Sequence, residues 1–126
     1  MNPLSPELVT GTVGELLFQL RLLQYGVQAA PPLKDTGNDL IAVRGESFRA
    51  IQVKTTTGDD VRVDFDRTRQ FHLLALAHLV GEGEMLHLDQ CQLFLIPRGD
   101  LDTGRFRRER LREYSLGRGL VDQLFR

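Results

Sequence analysis

The stretch 36–57, TGNDLIAVRGESFRAIQVKTTT, constrains the fold of this chain more than any other. DLIAV is an acid followed by four apolar residues, and RGES is a turn signal, because Gly45 can take the positive φ a tight hairpin needs. FRAIQVKTTT is a β-branched and apolar run with Gln52 and Lys54 set into it. A turn centred on Gly45 and Glu46 pairs Arg44 with Ser47 and Val43 with Phe48, and places Asp39 opposite Gln52. Gln52 and Lys54 are two apart and share a face. A bulge would shift this pairing by one residue. The hairpin gathers a carboxylate, an amide and an ammonium at one end. Such a trio can hold a hard divalent cation and offset charge that builds on a phosphate. The plainer alternative is an ordinary strand start followed by a solvated edge lysine.

A chain of 126 residues fits one domain, 1–126, with a modest core. No apolar run reaches the length of a membrane span, and MNPLSPEL is no export signal, so the expectation is a cytoplasmic protein without membrane contact. The lone cysteine, Cys91, suits a reducing compartment as a small core residue. A net charge of −1 means that any nucleic-acid surface must be local. Lys34 and Lys54 are the only lysines among 16 basic residues. In so arginine-biased a chain, a lysine at position 54 points to a need for a compact ammonium.

Ser5-Pro6-Glu7 is a helix start, and Val9, Val13, Leu16, Leu17, Leu20 and Leu23 form one helical stripe that ends near Gly26. Gly11 and Gly14, next to Glu15, imply that the sheet or a ligand approaches this helix closely. Glu15 lies at the border of the stripe. Residues 27–30 form a short strand and 34–38 a loop. VRVDF, 61–65, alternates like a half-exposed strand, with Arg62 and Asp64 on the wet side. Asp66 can cap a second helix over 67–80, which is apolar around most of its girth. His72 and His78 are six apart, a spacing unlike that of a helical metal pair, and read as core or edge residues. CQLFLI, 91–96, is a buried strand ended by Pro97. Arg105, Arg107, Arg108, Arg110 and Arg112 crowd into RFRRERLR, either as a solvated helix face or as a phosphate-contacting patch. A last helix from about residue 119 carries Leu120, Val121, Leu124 and Phe125, to close the core or offer a dimer face.

With Glu15 on the first helix, Asp39 opening one strand and Gln52-x-Lys54 in the next, the chain resembles the PD-(D/E)xK nuclease superfamily. GTVGELLFQLRLLQYG looks like that superfamily's first helix, and IQVK like its signature strand. The resemblance is nearest to archaeal-type Holliday-junction resolvases and to intron homing endonucleases that carry a Q-x-K variant. It implies an α/β restriction-endonuclease-like αβββαβ core, a mixed central sheet flanked by helices. It also departs from the usual motif: Gln52 stands where most members have an acid, so the site has one negative charge fewer. Asn38 stands where the motif has proline.

The resemblance implies a metal-dependent DNA endonuclease using Mg²⁺, with Mn²⁺ as substitute. Asp39, Gln52, the Val53 carbonyl and Glu15 would hold the metal, and Lys54 would act on the water or the phosphate. Arg105, Arg107, Arg108, Arg110 and Arg112 would hold DNA, and a homodimer or higher homo-oligomer would cut both strands. The alternative is a catalytically inactive module of the same fold that binds nucleic acid or a protein partner. A third possibility is an unrelated domain in which Glu15, Asp39 and Lys54 lie apart.

Overall fold

A computed structural model of the chain describes residues 3–34 and 38–126. Part of the loop expected over 34–38 therefore lies outside the described residues. The chain runs through helix α1 (Pro6–Gln24) and strands β1 (Gln28–Ala30), β2 (Leu40–Arg44), β3 (Ser47–Thr56), β4 (Leu73–His78) and β5 (Gln92–Pro97). Two short helices follow, α2 (Arg98–Asp102) and α3 (Arg118–Leu124), with a 3₁₀ segment Arg108–Tyr114 between them. The sheet order is β1-β2-β3-β4-β5. Only β3 and β4 run parallel; the other pairs are antiparallel. This is the mixed sheet with flanking helices expected from the sequence.

The central hairpin forms in the expected register, with Arg44 opposite Ser47 and Val43 opposite Phe48. Gly45 supplies the turn with φ +60°. Strand alternation then sorts the core into two layers. Ile51, Val53, Ala75 and Leu95 join Phe18 and Leu22 of α1 and Val121 and Phe125 at the C-terminal end of the chain. Leu74, Leu76, Phe94 and Ile96 point to the opposite face, which is covered by Phe71, by Val61, Val63 and Phe65, and by Phe106, Leu111 and Tyr114.

Three expectations change. The helix expected over 67–80 is not formed: LLALAH is strand β4, buried between β3 and β5. Leucine and alanine favour helices intrinsically, but a six-residue apolar run fits a central strand covered on both faces, and tertiary burial decides. The crossover from β3 to β4 therefore runs without a helix. Residues 61–65 keep their alternation, with Val61, Val63 and Phe65 inward, but join no strand ladder.

The third change is the rotation of α1. Its caps are as expected: Ser5 accepts a hydrogen bond from the Leu8 amide, with Pro6 in the first turn. Yet it buries Gly14, Phe18 and Leu22, while Val9, Leu16, Leu20 and Leu23 are 40–60 % exposed. Gly14 sets this rotation. A Cβ there would meet Thr55 Oγ1 at 1.9 Å and Thr55 Cβ at 3.0 Å, whereas a Cβ at Gly11 meets nothing within 4 Å. The helix thus lies against β3 where it has no side chain, and Phe18 and Leu22 follow at four-residue steps.

Gly14→Ala is accordingly expected to lower stability by about 1–3 kcal/mol, because the β-branched Thr55 is stiff and must move. Chemical denaturation reads the loss. Adding Thr55→Ala should return part of it, and simple additivity of the two losses would show that this contact is not the cause.

Candidate functional site

The site arises from unequal strand lengths. β3 spans ten residues and β2 five, and their ladder stops at the Leu40–Ile51 pair. From Gln52 onward the β2 side of β3 has no strand beside it. Asp39 fills the first gap. Its amide donates to the Ile51 carbonyl at 3.0 Å, and its Oδ2 accepts the Val53 amide at 2.8 Å. The carboxylate therefore caps the ladder with one oxygen. The Val53 carbonyl points the same way as the Val53 amide, toward the vacated side.

Gln52 lies beside Leu74 and Lys54 beside Leu76 in the parallel ladder. Both thus point to the face away from α1. Glu15 comes from α1, on the other side. The two sets meet beyond the end of β2, where Glu15, Asp39, Gln52, Val53 and Lys54 all line one cleft of about 1210 Å³. Thr55, Asp66 and Arg69 line it as well.

Two carboxyls of the cleft interact. Burial first, and then the negative charge of Asp39, push the Glu15 carboxyl above its ordinary value of 4.5. Gln52 is 6 % exposed, and its Oε1 is buried with no hydrogen-bond partner among the described residues. An unsatisfied buried carbonyl costs about 1–3 kcal/mol, a cost that a ligand at that oxygen removes. Lys54 has no carboxylate partner among the described residues. No group of three or more His, Cys, Asp or Glu side chains converges as a metal cage among the described residues. Two carboxylates with amide and backbone oxygens fit Mg²⁺, which is usually held by one or two carboxylates together with waters and substrate phosphates.

The shift at Glu15 fixes the sign of a pH effect. A carboxyl that ionises less readily folded than unfolded supports the fold below its ordinary value, and that support is lost as pH rises through the folded value. Glu15→Gln is expected to raise the denaturation midpoint of the metal-free protein at neutral pH and to leave it unchanged well below pH 4.5. Melting curves in chelator at both pH values test this, and an equal effect at both would remove the electrostatic account.

Other expected residues lie elsewhere. None of Arg105, Arg107, Arg108, Arg110 and Arg112 lines the cleft. All five are exposed; Arg108 stands 3.5 Å from Asp60, and Arg110 is paired with Glu113. His72 Nδ1 accepts the Ala50 amide at 2.8 Å, and His78 Nε2 lies 2.6 Å from the Gly58 carbonyl, so both are tied to the backbone. Cys91, a free thiol, bonds the Val80 amide and the His87 carbonyl. Asp66 and Arg69 also stand at the cleft, where a helix over 67–80 does not lead one to look. The Asp-x-Thr spacing of residues 66–68 is an Asx-turn signal, and reading it as a turn in place of a helix cap would have found them.

No protein-family model matches the chain, and no curated protein matches it. Among solved structures, a bacterial homing endonuclease, I-Ssp6803I, is similar over 96 % of this chain and 94 % of that one, with a TM-score of 0.65 and 20 % identity. No helix among the described residues is long and apolar enough to cross a membrane. The chain has a restriction-endonuclease-like fold: an α/β architecture with a mixed central sheet flanked by helices.

Proposed function

We propose that this chain, acting as one domain over 1–126, is a metal-dependent endodeoxyribonuclease of the resolvase-like or homing-like kind, working in the cytoplasm. One observation carries the reading. Glu15 from α1, Asp39 from just before β2, and Gln52, Val53 and Lys54 from β3 come to one cleft, and the Gln52 oxygen there is buried and unpaired among the described residues. Asp39, Gln52, the Val53 carbonyl and Glu15 are the donors that would hold Mg²⁺, with Mn²⁺ as substitute. Once bound, the ion would supply Lewis acidity toward the phosphate and a more acidic water.

The chain's own groups do the rest. Lys54 as an ammonium has donors only, so in that form it stabilises the charge that grows on the phosphoryl oxygens as water attacks and the P–O bond breaks. The Val53 amide holds the Asp39 carboxylate at the cleft. Glu15 sits where it can position the water. Calorimetry with Mn²⁺ tests the reading: uptake at millimolar concentration supports it, and none opposes it.

The neutral Gln52 favours a second reading, a catalytically inactive module of this fold that binds nucleic acid or a protein partner. It predicts DNA or partner binding indifferent to divalent metal and to Asp39→Ala.

Cutting both strands of a symmetric site calls for two copies about a two-fold axis. The terminal helix, expected as a possible interface, does not offer one. Val121 and Phe125 are in the core, and Leu120 and Leu124 pack against it. One row of exposed apolar side chains runs along α1, where Val9, Leu16, Leu20 and Leu23 are at steps of seven, four and three. About an axis through Leu16, Leu23 of one copy faces Val9 of the other. Covering each half-exposed leucine contributes on the order of 1 kcal/mol. Leu20→Glu is expected to turn a dimer into a monomer in sedimentation, and a native chain that is monomeric at every concentration would remove the dimer.

A further inference from the structure

We infer that the turn at residues 66–69, braced by Arg98, is a binding site for the phosphodiester backbone of duplex DNA, with Arg67 and Arg69 as its phosphate contacts. This deepens the nuclease reading and rests on it.

The turn is built rigidly. Asp66 Oδ1 accepts from the Thr68 amide at 2.9 Å and from the Thr68 hydroxyl at 2.6 Å, and the Arg69 amide donates to the Asp66 carbonyl at 3.1 Å. The Thr68 bonds hold the Asp66 carboxyl below its usual range. Arg98 closes the turn from behind. Its Nη1 donates to the Arg69 carbonyl at 2.8 Å, its Nη2 to the Arg67 carbonyl at 3.1 Å, and its Nε to the Asp102 carboxylate at 3.2 Å. Its guanidinium lies over the rings of Phe71 and Phe65, at 4.4 and 5.4 Å. One arginine thus spends its donors inside the protein on two backbone carbonyls of the turn. The side chain of Arg67 is 70 % exposed and that of Arg69 39 %. The Arg67 guanidinium rests on Phe65 at 4.7 Å, which preorders it.

The position of the turn singles it out among the basic segments. Asp66 and Arg69 line the cleft that holds Lys54 and Asp39. Arg67, Arg69 and Arg98, with Asn38, line a second hollow of about 510 Å³. Arg69 is common to both, so the turn stands between the cleft and its neighbour, at the edge of the candidate site. The arginines at positions 105–112 line neither hollow. Arg67 is 3.8 Å from Asp102, longer than a charge-assisted hydrogen bond, and an exposed pair of this kind exchanges at little cost. Arg69 stands 3.5 Å from Asp66 on the wall of the cleft.

The test is fluorescence anisotropy of a labelled duplex with the full chain in CaCl₂, across a salt series. The double variant Arg67→Ala and Arg69→Ala should weaken binding about tenfold or more and lower the slope of log affinity against log salt by about two, equally for unrelated sequences. The carbonyls that Arg98 holds are backbone, so this variant keeps the brace, and circular dichroism checks its fold. Arg98→Lys should weaken binding too, since an ammonium cannot span two carbonyls in one plane. An unchanged slope in the folded double variant, or a larger loss from Arg105→Ala with Arg107→Ala, overturns the inference while native binding and cleavage leave the nuclease reading standing. A native chain that binds no duplex at any salt overturns both.

Discussion

Lys54→Ala is expected to slow cleavage of plasmid or junction DNA in Mg²⁺ by about two to three orders of magnitude, with almost no change in melting temperature. The rate effect follows from removing a positive charge aimed at an oxygen that gains charge during reaction, where one donor carries a factor of this size. The lack of a stability effect follows from structure: Lys54 is half-buried and has no ion pair to lose among the described residues. Lys54→Arg should recover little, because a planar guanidinium does not occupy the space of a compact ammonium. Asp39→Ala should abolish cleavage as well, but with a cost to the fold, since the buried Val53 amide then loses its acceptor at about 1–3 kcal/mol. Asp39→Asn keeps an oxygen for that amide and removes only the charge, so it separates the two effects. Rates unchanged in both Lys54→Ala and Asp39→Ala, read by gel conversion of supercoiled plasmid, would falsify the catalytic assignment.

The parts of this site that were legible in the sequence are those fixed by local register. Gly45 imposes the hairpin turn, and the pairing of Arg44 with Ser47 carries Asp39 to the level of Gln52. Period two then places Lys54 with Gln52. What escaped depends on the packing of distant segments. The stripe of Val9, Leu16, Leu20 and Leu23 has a helical period as good as that of Gly14, Phe18 and Leu22. Only the fit of Gly14 on Thr55 decides which face is buried. LLALAH satisfies helix and strand periodicity equally, and its place between β3 and β5 settles the matter. The same ambiguity conceals the turn at 66–69, since a helix over 67–80 leaves no room for it. Arginine density is highest over 105–112, yet density carries no information about distance from the cleft.

Gln52→Glu is expected to tighten Mn²⁺ binding by about a hundredfold and to destabilise the protein when metal is absent. Gln52 Oε1 is already buried and unpaired, so the substitution changes charge with little change of shape. Without a cation, the new carboxylate is added near Asp39 and the already strained Glu15, and the site carries like charges out of water. With a cation, each added negative charge at ligand distance contributes several kcal/mol of attraction at an effective dielectric of about 20, part of which desolvation offsets. The two effects have opposite signs, so they separate in one experiment. The melting temperature in chelator should fall below that of the native chain, and the rise on adding Mn²⁺ should be larger, because a ligand that binds only the folded state stabilises it by an amount set by concentration over dissociation constant. A structural glutamine unconnected with metal predicts the first change without the second. Titration calorimetry decides: equal or weaker Mn²⁺ affinity in the variant removes Gln52 from the ligand set. If the native chain takes up no Mn²⁺ but the variant does and then cuts DNA, the missing charge at position 52 is what holds this cleft inactive, and the binding-module reading describes the natural protein.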